Sequence, residues 1–275
     1  LAILIEKQFD GSAVRLNYAE GPEGGSPLLL LHGFTDRWQT WLDVIPALML
    51  RWHVYALDHR GHGQSGRTRG GYARTSYASD ATEFLRGIVG RPAALVGHSL
   101  GAGTAISVAT SSPELVTALV LEEPRLLTPS DEASPGVTTP FVEECERLAA
   151  GMGFEEIREL ERRLYPEANP AESRERARHL SCVDPAVLRR RGPPEQPDAE
   201  PVLARIQVPA LLIHGERELG GIVSESGAER AASEIRDLTV VKIDGIGHDI
   251  HWRRPNEFRS IVVDFLESLE RSARP

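Results

Sequence analysis

The stretch Ala93-Ala94-Leu95-Val96-Gly97-His98-Ser99-Leu100-Gly101-Ala102-Gly103 decides how the rest of the chain is read. Ala93–Val96 is a continuous apolar run, which suits a strand buried on both faces. A helical pattern of small residues, Ser99–Thr110, follows it. Between them lies Gly97-His98-Ser99-Leu100-Gly101, a G-x-S-x-G in a strand–turn–helix setting. Side chains at Gly97 and Gly101 would strike neighbouring backbone in so tight a turn. The turn holds Ser99 in a strained conformation with Oγ raised from the sheet edge. The helix that follows aims its free N–H groups at any oxyanion formed there.

Outward from this turn, short apolar runs alternate with helical patterns, which predicts a mostly parallel sheet covered on both faces. Ala2–Lys7 and Ala13–Ala19, around Asp10-Gly11, read as an antiparallel hairpin. Pro27–Leu31, His53–Leu57, Ala93–Val96, Ala118–Leu121, Ala210–Ile213 and Val240–Ile243 read as buried strands. Tyr77–Val89, Ser99–Thr110, Ser224–Ile235 and Pro255–Leu269 read as helices. The alternation breaks once, from about Arg125 to Arg205. That segment shows only helical stretches: Thr138–Ala150, Phe154–Tyr165, Ala171–Ser181 and Pro185–Arg191, punctuated by prolines. The expected organisation is an α/β core, residues 1–124 and 206–275, with an inserted helical cap at 125–205. Apolar cap residues (Phe141, Leu148, Met152, Phe154, Leu160, Leu164) are expected mostly to pack helix on helix. The pairs and triplets Arg162-Arg163 and Arg189-Arg190-Arg191 are expected on solvated faces.

Composition excludes other classes. The chain is 41% hydrophobic and carries a net charge of -9, so it lacks the basic face a nucleic acid needs. Its longest apolar runs fall far short of the roughly 20 residues that span a bilayer. Of 31 Lys+Arg, only Lys7 and Lys242 are lysine, a bias that high genomic GC explains more simply than heat adaptation. Two cysteines, Cys145 and Cys182, make no disulfide framework and have no metal-ligand spacing. With no signal ahead of the fold, the expected compartment is the cytoplasm, although a start at Leu1 allows for a removed leader.

The strand Pro27–Leu31 runs into His32-Gly33-Phe34-Thr35-Asp36, where the Phe34 N–H is placed to join the Leu100 N–H as an oxyanion hole. His32 reads as a brace for that loop. With Asp58-His59-Arg60-Gly61-His62-Gly63-Gln64-Ser65, Ile213-His214-Gly215-Glu216 and Gly247-His248 in the same order, the chain resembles the α/β-hydrolase superfamily, on the side of its serine esterases and lactonases. The resemblance covers the whole chain and implies an eight-stranded, mostly parallel sheet flanked by helices. It makes the Asp58–Ser65 turn structural and His248 the base, with His251 packing or lining the pocket. For the triad acid it points to Glu218, three residues after Gly215, where the family most often has Asp. Some members place the acid before the cap, which makes Glu122 or Glu123 the alternative.

The expected function is cleavage of small to medium, largely apolar carboxylic esters through an acyl-enzyme on Ser99, His248 and Glu218. Phe34, Trp38, Trp41 and Ile222 are the expected pocket wall. Lactone hydrolysis, C–C bond hydrolysis and cofactor-free perhydrolysis use the same parts. A ligand receptor on a hydrolase body is the alternative of a different class. No cofactor, metal, nucleic acid or membrane is expected as a partner, and the chain is expected to be a monomer or homodimer.

Overall fold

The computed structural model describes residues 3–126, 139–166, 168–188 and 203–272, with backbone only for residues 139–142. The side chain of Phe141, Arg189–Arg191 and the rest of the expected cap at residues 127–138 and 189–202 therefore lie outside the described residues.

Eight strands form one sheet: β1 (Ile5–Asp10), β2 (Arg15–Glu20), β3 (Ser26–Leu31), β4 (Trp52–Leu57), β5 (Ala93–His98), β6 (Val116–Glu122), β7 (Ala210–His214) and β8 (Leu238–Lys242). Their order is β1-β2-β4-β3-β5-β6-β7-β8. The β1–β2 and β2–β4 pairs are antiparallel and the rest parallel. Strands β4 and β5 are buried at every position, as continuous apolar runs require when both faces are covered. The edge strand β8 is largely exposed and pairs only with β7.

Three central strands run further than their apolar cores. β5 continues to His98, β6 to Glu122 and β7 to His214, all buried. Apolar patterning stops before these residues because the carboxyl ends of the strands are where the sheet turns polar, and in parallel sheets that edge builds sites.

Helices α1 (Ile45–Leu48), α2 (Arg74–Phe84) and α3 (Leu100–Ser111) precede β6, and α8 (Glu225–Glu234), α9 (Ile250–Arg253) and α10 (Pro255–Ser272) follow β7. One core face joins α2 and α3 to the sheet through Phe84, Ala105 and Val108; the other joins α1 and α10 through Ile45, Leu48, Phe258 and Val262. Between β6 and β7 the described elements are all helical: α4 (Thr139–Ala149), α5 (Phe154–Leu164), α6 (Pro170–Ser181), α7 (Pro185–Leu188) and a short turn at Leu203–Arg205. Asn169 caps α6 by accepting the Ala171 and Glu172 N–H groups.

The inserted helices bury charge that patterning does not reveal. Arg176 Nη2 contacts both oxygens of Glu144 at 3.0 Å, its Nε contacts Glu161 at 2.9 Å, and both carboxylates are buried. Burial, only partly offset by Arg176, pushes the Glu161 carboxyl up to about 8. On the outer face, Arg162 pairs with Glu159 and Arg163 with Glu143, as solvated arginines do.

Candidate active site

The turn between β5 and α3 is tight. A Cβ on Gly97 would stand 2.5 Å from Ala102 N, and one on Gly101 only 2.0 Å from Leu31 O. Ser99 sits between them at φ 50°, ψ −107°, half-buried. Such backbone costs about 1–3 kcal/mol and persists only where its surroundings enforce it. Here the Ser99 N–H donates to Glu122 O at 2.9 Å, and Gly103 N–H to Ser99 O at 3.0 Å. Leu100 opens α3, so its N–H has no acceptor within the helix.

The loop after β3 is braced from several sides. His32 Nδ1–H donates to Gly33 O at 2.7 Å, and its Nε2 accepts the His59 N–H at 2.9 Å. Burial lowers the ring to about 4, against a weaker lift from Gly33 O and Asp36, so it stays neutral. Thr35 has φ 74°, and its hydroxyl donates to Phe34 O at 2.5 Å. Asp36 accepts from His179 on α6 at 3.2 Å; the pairing outweighs burial and holds this carboxyl well below its usual range. The Asp58–Ser65 turn is closed by Asp58, which accepts the N–H groups of Trp38 (2.7 Å) and Gln64 (3.0 Å).

At the far end of the chain, His248 Nδ1 lies 3.3 Å from Glu123 Oε2. Glu123 is fully buried, has φ 48°, and also accepts from the N–H groups of Gly215 (2.8 Å), Ile222 and Val223 (3.3 Å). Burial works against charge on His248, but the Glu123 hydrogen bond and the carboxylates of Asp249, Glu123 and Glu122 outweigh it and raise the ring above its ordinary value. Ser99 Oγ makes no hydrogen bond to this ring among the described residues. Such contacts commonly close only when substrate is bound.

The expected pairing of Glu218 with His248 is not what the structure has. Glu218 lies in a 3-10 turn, Arg217–Leu219, closed by Gly220 at φ 98°, and it faces solvent. The next residue's carbonyl, Leu219 O, packs so closely on Gly247 that a Cβ there would stand 2.0 Å away. Glu216 accepts the Gly245 N–H at 2.7 Å. Of the alternatives, Glu123 meets His248. Glu122 instead meets His251, at 2.7 Å. The signal in the sequence is the pair itself: Glu122 closes β6 and Glu123 follows at positive φ, and each of the two successive glutamates meets a different histidine.

The expected pocket wall is also revised. Trp41 is fully buried in the core, stacked on His251 (centroids 4.2 Å apart) and near Phe258 (5.9 Å). Trp38 is core as well, with Nε1–H donating to Glu6 at 2.5 Å. Phe34 and Leu100 do border the inserted helices, packing on a cluster that includes Cys145, Leu148, Leu180 and Val187. Ile222 is half-buried beside Glu123.

A positive-φ serine between two obligatory glycines, at the carboxyl edge of a mostly parallel eight-stranded sheet, defines a class. Residues 26–255 match the family model described as alpha/beta hydrolase fold, and the chain belongs to that family. Among its relatives, it is 27% identical to 2-(acetamidomethylene)succinate hydrolase of Mesorhizobium japonicum, over 96% of each chain. It is also 27% identical to N-formylmaleamate deformylase of Pseudomonas putida, over 93% of this chain and 94% of that one. The crystal structure of E-2-(acetamidomethylene)succinate hydrolase shares its fold with a TM-score of 0.76, at 24% identity, over 96% of this chain and 100% of the other. That of naproxen esterase from Bacillus subtilis does so with a TM-score of 0.75, at 21% identity, over 96% and 92%. The chain is thus a hydrolase of this family, and among the described residues no helix is long and apolar enough to cross a membrane.

Proposed function

We propose that the protein is a serine hydrolase that cleaves carboxylic esters through an acyl-enzyme, with Ser99 as nucleophile, His248 as base and Glu123 as the acid that orients it. One observation carries this reading: the 3.3 Å contact of His248 Nδ1 with Glu123, at the edge where Ser99 is held at positive φ. With Nδ1 committed to Glu123, Nε2 is the nitrogen left to accept the Ser99 proton. As Ser99 Oγ bonds to the carbonyl carbon, charge gathers on the carbonyl oxygen, where the N–H groups of Leu100 and Phe34 meet it. The imidazolium passes its proton to the departing alcohol. Water then attacks the acyl group by the same route, releasing the acid and restoring Ser99.

Residues 125–205 serve in this reading as a cap that keeps bulk water from the acyl-enzyme. The apolar packing of Phe34 and Leu100 against inserted helices supports a small to medium, largely apolar acyl group, with Phe34 and Ile222 on its wall. A second reading is hydrolysis of an N-acyl bond on the same triad. It is favoured by the two full-length relatives, whose names carry an acetamido and an N-formyl group.

A fluorophosphonate probe tests the chemistry. Labelling of the wild type and not of Ser99→Ala is expected; a folded wild type that stays unlabelled rejects the triad. Parallel panels of p-nitrophenyl esters and N-acyl enamines then separate the two substrate readings by kcat/KM.

A further inference from the structure

His251 has no access to substrate in this scheme: it is 1% exposed and both ring nitrogens are engaged. Its Nδ1 lies 2.7 Å from Glu122 Oε2, and its backbone N–H donates to Glu122 Oε1 at 2.8 Å. Its Nε2 lies 2.8 Å from Thr40 Oγ1, in the turn that follows the Phe34 loop. Glu122, through its carbonyl, also accepts the Ser99 N–H. His98 stands between the two rings, with centroids 4.6 Å from His248 and 4.9 Å from His251, and its Nε2–H donates to the His248 carbonyl at 3.1 Å. Glu122 and His251 therefore border the nucleophile turn, adjoin Glu123 and the base loop in the chain, and meet the segment after the oxyanion loop.

We infer that Glu122 and His251 form a second carboxylate–imidazole pair whose task is to position the first; the inference rests on the catalytic reading of Ser99 and His248. Two charges so deep contribute little net stability compared with apolar residues of the same size. What they do supply is direction, since hydrogen bonds fix the loops they join to one geometry. A shared metal ion is the competing account, because donor atoms of His98, Glu122 and His251 lie within 4.8 Å of one another. The 2.7 Å separation of His251 from Glu122 argues against it. That is a hydrogen-bond length, whereas two ligands about 2.1 Å from one tetrahedral ion stand roughly 3.4 Å apart.

The test reads kinact and KI for fluorophosphonate labelling of Ser99, alongside Tm. His251→Phe leaves Glu122 buried with only the backbone N–H of residue 251 and no imidazole partner, so its Tm is expected to fall. The double variant Glu122→Gln/His251→Phe removes the stranded charge, and its Tm is expected to recover. Its kinact should still be roughly 100-fold below wild type with KI unchanged, the effect of displacing a catalytic group by about 1 Å. His251→Asn, whose amide N–H falls at the Nδ1 position, is expected to regain most of that rate. His251→Gln, whose amide reaches toward Thr40 instead, is not. A folded double variant that labels at the wild-type rate overturns the inference. If the double variant fails to fold, equal rates for His251→Asn and His251→Gln overturn it. An unlabelled wild type would reject the catalytic reading instead.

Discussion

Glu123 and His248 are 125 positions apart in the chain, yet their side chains meet at 3.3 Å. Glu123→Gln is expected to lower kcat by about 10³- to 10⁴-fold, because an amide there no longer secures the histidine tautomer. Glu218→Gln, on an exposed turn, is expected to change kcat less than about twofold. Steady-state kinetics with circular dichroism on both variants checks the contrast, and the opposite ranking would return the acid to position 218.

The same contact sets a pH dependence. The base must be neutral to accept the Ser99 proton, and Glu123 with its acidic neighbours raises the His248 pKa. The wild-type kcat/KM is therefore expected to rise with pH through a midpoint above about 6.5, the ordinary histidine value. In Glu123→Gln the residual activity should show that midpoint at lower pH. An unmoved midpoint would mean that another group controls the rise.

Stability should depend on pH in the opposite range. His32, His59 and His62 are buried and neutral, lowered by burial to about 4, well below the ordinary value, and to about 3 respectively. Above about pH 6.5 neither folded nor unfolded chain protonates them, and their contribution is fully present. As pH falls toward 4, the unfolded chain binds protons that the native state refuses, at up to about 1.4 kcal/mol per pH unit for each ring. Urea unfolding at pH 7.5, 6 and 5 should show falling stability, and a flat profile would contradict it.

Two glycines at the start of α3, one on either side of Ala102, should respond oppositely. Gly101→Ala puts a methyl 2.0 Å from Leu31 O and is expected to destabilise by about 1–3 kcal/mol or more. A methyl on Gly103 would meet nothing nearer than Arg74 Nε, 3.9 Å away. Gly103→Ala should raise helix stability by up to about 1 kcal/mol. Thermal unfolding of the two variants reads both signs.

In the inserted helices, Arg176→Met leaves the buried Glu144 without its cation, beside a Glu161 carboxyl that burial already raises to about 8. A loss of about 3–5 kcal/mol is expected, seen as early unfolding of this region by hydrogen exchange. A loss below about 1 kcal/mol would mean that the pair gains protons or solvent cheaply.

The sheet was legible because its central strands are buried on both faces, which leaves unbroken apolar runs such as Leu28–Leu31 and Leu119–Leu121. The polar residues that end those strands, His98, Glu122 and His214, were not, since hydropathy alone assigns them to loops. The turn at Ser99 was legible because only glycine fits at positions 97 and 101. The acid was not: Glu123 meets His248 only through a contact across 125 positions, while Glu218 ends on an exposed turn. The role of Trp41 likewise hangs on a ring from position 251 that no local pattern reveals.

Because the carboxylate that meets His248 stands at the end of β6, the chain leaves the sheet for its helical excursion only three residues before Leu126, which is itself buried in the core. A chimaera that exchanges the excursion for one from another hydrolase must therefore be spliced beyond residue 126. A junction cut flush with the strand would carry away the Leu126 anchor and loosen the carboxylate with it, whatever substrate the donor segment was chosen to admit.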